Sequence, residues 1–90
     1  MRWIEFDWDA GNEDKVLERA SEKELREAFT DPDQVDRDTY AVQEERRWTF
    51  FAKTWSGRRL FVVYTMRADK VRVISTRTAD DDEKQIYRKG

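Results

Sequence analysis

Between residues 46 and 77 the chain carries nine basic residues and a single acid, Asp69. The nine are Arg46, Arg47, Lys53, Arg58, Arg59, Arg67, Lys70, Arg72 and Arg77. A guanidinium can hold a phosphate through two parallel hydrogen bonds, and fixed cations stabilise the charge that builds up during phosphoryl transfer. The chemistry open to this segment is therefore polyanion binding, with phosphoryl transfer as its reactive extension. The same cations on a strand edge also keep it from pairing with other molecules. Residue type alone leaves both roles open.

Aromatic residues interleave with these charges: Trp48, Phe50, Phe51, Trp55, Phe61 and Tyr64. Exposed rings can stack on unpaired bases. In a 90-residue chain with 42% charged and 38% hydrophobic residues, however, a few large side chains must build the core. Each aromatic buries on the order of 150–250 Å². Phe50, Phe61 and Tyr64 are therefore expected inside. Trp55, beside Ser56-Gly57 at a strand end, is kept as an open surface candidate.

The net charge of −2 hides a split. Residues 1–45 hold 6 basic and 15 acidic side chains, and residues 46–90 hold 12 and 5. A basic half joined to an acidic half fits a surface built for a polyanion on a single small domain spanning residues 1–90. Cys and His are both absent, which excludes disulfides, zinc sites of the usual N/S type and imidazole acid–base catalysis. No cofactor is expected. The run Asp31-Pro32-Asp33-Gln34-Val35-Asp36 superficially suggests a calcium loop, but its sixth position is Asp36 rather than the required Gly. The acidic run at residues 80–83 reads as a helix start. With no apolar leader after Met1-Arg2 and no run near the roughly 20 residues of a membrane span, a soluble cytoplasmic protein is expected.

The elements that must position these residues follow from periodicity. Ile4, Phe6 and Trp8 alternate with Glu5, Asp7 and Asp9, the pattern of a half-buried first strand. A helix is expected over residues 13–20. Ser21 with Glu24 forms a capping-box pattern that opens a second helix, whose Leu25, Ala28 and Phe29 share one face. Asp31-Pro32 ends it, and residues 31–41 read as an irregular connection. Three strands follow, over roughly 45–54, 59–66 and 70–77, joined at Ser56-Gly57 and at Arg67-Ala68-Asp69. Strict alternation places Lys70, Arg72, Ile74 and Thr76 on one side of the last strand, with Val71, Val73, Ser75 and Arg77 on the other. Thr78 can cap a final helix whose first turn is acidic and last turn basic. The predicted order is β-α-α-β-β-β-α, an α+β domain with helices against one small antiparallel sheet.

With that order in hand, three segments resemble a known family, the BrnT-type toxins. They are Phe6-Asp7-Trp8-Asp9-Ala10-Gly11-Asn12 with Lys15, then Glu44-Glu45-Arg46 with Ser56-Gly57-Arg58 and Leu60, and finally Val71-Arg72-Val73-Ile74-Ser75-Thr76-Arg77 with Glu83 and Tyr87. The third is the most specific, and together they span almost the whole chain. The resemblance implies a RelE-like fold and a toxin of a type II toxin–antitoxin system that cleaves RNA and stops translation. It implies a cognate ribbon-helix-helix antitoxin, through which operator DNA is bound, and a dimer or higher complex with that antitoxin.

RNA cleavage needs a base for the 2′-hydroxyl proton, an acid for the leaving oxygen and cations for the phosphorane. Glu45 or Glu83 can be the base, and Lys53 or Tyr87 the proton donor. Arg46, Arg72 and Arg77 can hold the phosphate, with Arg72 and Arg77 the leading pair. Arg58, Arg59, Lys70 and Trp55 are the candidates for further RNA contact. No metal is called for. The family usually has a His-Gly pair before its second helix, and here Leu17-Glu18-Arg19-Ala20-Ser21 is shorter and lacks it. Three alternatives stay open: that His is structural, another residue replaces it, or this copy is a weak or inactive toxin. In the last case the domain would be a non-catalytic module that binds its antitoxin and serves operon autoregulation.

Overall fold

The structure, a computed structural model, describes residues 4–80. Helix α1 is Glu13–Leu17 and helix α2 is Glu22–Phe29. Strands β1 (Val35–Val42), β2 (Glu45–Lys53), β3 (Arg59–Arg67) and β4 (Lys70–Thr78) follow. They form one antiparallel sheet in the order β1-β2-β3-β4. The α+β class is as expected, and the order of the described elements is α-α-β-β-β-β. The predicted final helix lies outside the described residues.

The second helix begins where the capping box places it. The Glu24 backbone N–H donates to Ser21 Oγ at 3.1 Å, and the Ser21 N–H donates to Glu24 Oε1 at 3.0 Å. This satisfies two of the four donors that a helix N-terminus leaves open. Helix α1 stops at Leu17, earlier than periodicity predicts.

Two expectations are corrected. Residues 4–9 do not form a regular strand. Phe6 makes a single parallel bridge to Val71, after which the chain curls as Asn12 and Glu13 donate to the Asp9 carbonyl. The alternation still has its effect, because Ile4, Phe6 and Trp8 pack against the core. Residues 35–41, expected within an irregular connection, belong to strand β1. Seven of its eight residues are exposed, so the strand is made by pairing with β2 and carries no apolar alternation of its own. Its turn, Gln43-Glu44, has positive φ at both central residues (50° and 70°), the geometry of a two-residue hairpin without the usual Asn-Gly signal.

A third correction concerns faces. Val63 pairs with Ser75 but Tyr64 pairs with Val73, so Ile74 is an extra, bulged residue. The bulge shifts the alternation by one. Val71 and Val73 therefore share a face with Thr76 and Thr78, while Lys70 and Arg72 share the other with Ser75 and Arg77.

The main core lies between the helices and one sheet face: Val16, Leu25, Ala28, Phe50, Ala52, Leu60, Val62 and Val73 are its centre. Phe29 joins Phe6, Phe50 and Tyr64 edge-on at 5.8, 4.9 and 5.0 Å. Each such ring pair adds roughly 0.5–1.5 kcal/mol beyond area burial. Phe50 and Tyr64 are core residues as expected. Phe61 instead faces the opposite side, in a smaller cluster with Phe51, Val35 and Ala79.

Candidate functional site

The sheet sorts the basic residues into two groups at opposite ends. Glu45 and Lys53 are the two ends of β2, roughly 27 Å apart at ~3.4 Å per residue. Arg72 and Arg77 are similarly separated along β4, by roughly 15 Å once the bulge is allowed for.

At the β1–β2 hairpin end the cations are matched by acids. Glu45 accepts from Arg67 at 3.1 Å and from Arg47 at 3.2 Å. Arg67 first, and Arg47 with it, holds the Glu45 carboxyl below the usual carboxylate range. Glu45 is thus a charged ion-pair partner, a poor base. Arg46 is exposed on the helix-side parity of β2, and its carbonyl accepts from Thr65 Oγ1 at 2.7 Å. Lys70 lies 3.9 Å from Glu5.

Arg72 is 7% exposed. Its Nη1 and Nη2 donate to the two carboxylate oxygens of Asp9 at 3.0 and 2.9 Å, and Nη1 also reaches Asp7 at 3.4 Å. The guanidinium lowers the Asp9 pKa, helped by the Gly11 N–H, and the two acids raise that of Arg72. The bidentate pair pins the N-terminal segment to β4. Sequence reasoning missed Asp7 and Asp9. Their signal was present, as acids alternating with the half-buried Ile4, Phe6 and Trp8.

Arg58 is likewise engaged internally. It donates to both Glu24 oxygens at 3.2 Å, to the Arg19 carbonyl at 2.6 Å and to Thr78 Oγ1 at 3.1 Å. One side chain thereby ties the turn after α1, helix α2 and the end of β4 together. The Ser21 N–H and then Arg58 lower the Glu24 pKa.

At the β2–β3 turn end, three cations meet on the face opposite the helices. Lys53 sits directly across from Arg59, and Arg77 directly across from Phe61. Arg59 and Arg77 are therefore diagonal neighbours, with Cα atoms about 7–8 Å apart. Between them lie Phe51 and Phe61, and the Arg77 guanidinium stands 4.7 Å from the Phe61 ring centre. That contact helps to orient the Arg77 guanidinium.

Trp55 occupies the adjoining turn with 82% of its surface exposed. Its backbone is held while its ring is not buried: the Trp55 N–H donates to Glu27 Oε1 at 2.9 Å, and the preceding Lys53 N–H to Asp31 Oδ2 at 2.8 Å. Gly57, at φ 94°, closes the turn, with its N–H on the Thr54 carbonyl at 3.0 Å.

Of the residues singled out from sequence, the structure thus brings Lys53, Arg59, Arg77 and Trp55 to one end. Glu45, Arg46, Lys70 and Arg72 stand at the other, and Arg58 lies among the helices. Glu83 and Tyr87 lie outside the described residues. Among the described residues no helix is long and apolar enough to cross a membrane, and no cluster of three or more acids is placed to hold a metal.

Comparison with known proteins gives this arrangement a context. The model of one family, described as the ribonuclease toxin, BrnT, of type II toxin-antitoxin systems, matches residues 8–83. None of the curated proteins matches. The chain belongs to the BrnT family of ribonuclease toxins, and membership in a type II system implies an antitoxin partner.

Proposed function

We propose that the chain is an endoribonuclease toxin of RelE-like type whose RNA site is the helix-free sheet face at the β2–β3 turn. The observation that carries this reading is the convergence of Lys53, Arg59 and Arg77 from three adjacent strands around Phe51 and Phe61. Cations from three strands can hold the non-bridging oxygens of one phosphate and stabilise the pentavalent intermediate as charge accumulates. Trp55 offers a ring on which a neighbouring base can stack.

In this reading the 2′-oxygen attacks the adjacent phosphorus, and the bond from phosphorus to the 5′-oxygen breaks. The products are a 2′,3′-cyclic phosphate and a 5′-hydroxyl. Side chains alone carry the proton transfers: Lys53 or Tyr87 gives a proton to the leaving oxygen. Glu45 stands too far from Lys53 and is held charged by Arg67. Glu83 is the remaining base candidate. Arg72 and Arg58 act as positioning residues, holding the N-terminal segment and the helices against β4.

The partner in this proposal is a ribbon-helix-helix antitoxin that covers the basic face with acidic groups and carries the complex to operator DNA. Cleavage would stop translation in the cytoplasm. The test is incubation of the purified full chain with labelled single-stranded RNA in EDTA, beside a folded Arg77→Ala variant. Cleavage by the wild type alone, with cyclic phosphate ends, is expected; equal cleavage by both would overturn the assignment of this face.

A second reading has one observation in its favour. The chain has no His. A non-catalytic module that binds antitoxin would leave RNA intact in both lanes while still forming a tight complex.

A further inference from the structure

Glu27, in the last turn of α2, carries a charge with only 7% of its surface exposed. Among the described residues no cation stands within ion-pair distance of it. A buried carboxylate is costly unless hydrogen bonds satisfy it. Glu27 Oε1 accepts from the Trp55 backbone N–H at 2.9 Å, from a residue 28 positions along the chain.

That bond belongs to a set that locks the β2–β3 turn. Thr54 is buried. Its N–H donates to the Arg58 carbonyl at 2.8 Å, and its carbonyl accepts from the Gly57 N–H at 3.0 Å. Its Oγ1 accepts from the Arg58 N–H at 3.1 Å. Asp31, just beyond α2, accepts from the Lys53 N–H at 2.8 Å. The backbone N–H groups of Lys53, Thr54, Trp55, Gly57 and Arg58 are thus all bound, and those of Lys53 and Trp55 depend on acids outside the turn. Without Glu27 the turn keeps its own closure and loses a tie to the helix. Trp55 sits at that tie, with its backbone held and its ring 82% exposed. A fixed backbone beneath an exposed ring lowers the ordering cost of binding there.

We infer that Glu27 is a positioning residue for RNA recognition, holding the turn so that the Trp55 ring is presented to an unpaired base beside Lys53. The inference rests on the proposed cleavage face and assigns part of its recognition to a buried acid on the helix side of the sheet. Stacking needs only a free π-face, so this position selects unpaired RNA and tolerates any base.

The test uses the full chain and a 2′-O-methyl RNA 12-mer, which has no 2′-hydroxyl to attack. Affinities are measured for the wild type, Glu27→Met, Glu27→Gln, Trp55→Ala, the Glu27→Met/Trp55→Ala double variant and Lys53→Gln/Arg59→Gln. Methionine keeps the length and helix propensity of glutamate without its acceptor, whereas glutamine keeps the acceptor. Circular dichroism checks folding, and Glu27→Ala replaces Glu27→Met in both variants if that change unfolds the chain. Trp55→Ala should bind roughly tenfold more weakly, as loss of one stacked base implies. Glu27→Met should lose about fivefold, Glu27→Gln should stay within about twofold, and the double variant should match Trp55→Ala.

A Glu27→Met variant with wild-type affinity overturns the inference. So does one that weakens binding equally with and without the Trp55 ring, or a Glu27→Gln variant as weak as Glu27→Met. A Trp55→Ala variant with wild-type affinity overturns it as well. In each of these cases weak binding by Lys53→Gln/Arg59→Gln leaves the cleavage face standing. Wild-type affinity in Lys53→Gln/Arg59→Gln, or a wild type that binds no RNA, overturns the cleavage face and the inference together.

Discussion

Arg72 and Asp9 face each other through two parallel hydrogen bonds of 3.0 and 2.9 Å, across 63 residues of sequence. The sheet side of this pair is buried and the loop side is about half exposed. The pair makes Arg72 a structural cation first. Arg72→Ala leaves Asp7 and Asp9 without their counter-ion and frees the N-terminal segment from β4, and it is expected to lower Tm by about 5 °C. RNA cleavage measured well below the new Tm should persist. A variant with unchanged Tm and no cleavage would instead make Arg72 a phosphate ligand.

The same pair fixes the direction of the acid response. Arg72 depresses the Asp9 pKa, as Arg67 depresses that of Glu45 and the Ser21 N–H that of Glu24. A carboxylate whose folded pKa is lowered contributes stability that is complete above its unfolded value and lost as pH falls through the folded one. Stability should therefore be flat near neutrality and fall in acid below the ordinary carboxylate range. Urea midpoints against pH will show this, and Asp9→Asn should flatten the curve. A fall that begins at neutral pH would contradict it.

Cleavage should discriminate between the two ends of the sheet. Arg77→Ala removes a cation from the proposed phosphate site and should slow cleavage by about 10²-fold or more. Glu45→Gln, roughly 27 Å from Lys53 along β2, should stay within about twofold of wild type. Single-turnover rates on one RNA settle the comparison, and a Glu45→Gln variant as slow as Arg77→Ala would return Glu45 to the site.

The turn that carries Trp55 depends on Gly57. No atom lies within 4 Å of a Cβ placed there, so space is not limiting, but φ is 94°. Gly57→Ala should destabilise by about 1–2 kcal/mol from backbone strain alone. Thermal unfolding will report it; an unchanged Tm would mean that the turn relaxes freely.

The antitoxin should recognise the face it must block. Arg59→Glu reverses one charge of the patch without touching the helix contacts of Arg58, and the complex should dissociate faster, with about a tenfold loss of affinity. Calorimetric titration with the cognate antitoxin tests this, and an unaltered affinity would place the antitoxin elsewhere.

Much of this protein is decided locally and is legible from residue order. Ser21 and Glu24 place the start of α2 because a capping box involves only neighbours in sequence. Residues 45–54, 59–66 and 70–77 read as strands because β-branched and aromatic runs bounded by turn residues need no distant partner to be recognised. The charge split and the missing His and Cys bound the chemistry in the same way.

Tertiary structure decided what depends on pairing. Strand β1 exists only against β2, so its polar sequence gave no sign of it. The Ile74 bulge reversed the faces of β4, since a one-residue slip moves every later side chain across the sheet. The same long-range pairing separated the arginines. Arg72 was drawn to Asp7 and Asp9, Arg58 to Glu24, and Arg77 to Phe61 beside Lys53 and Arg59. Which cations meet a substrate depends on which acids the fold brings to them, and those acids lie tens of residues away in the chain.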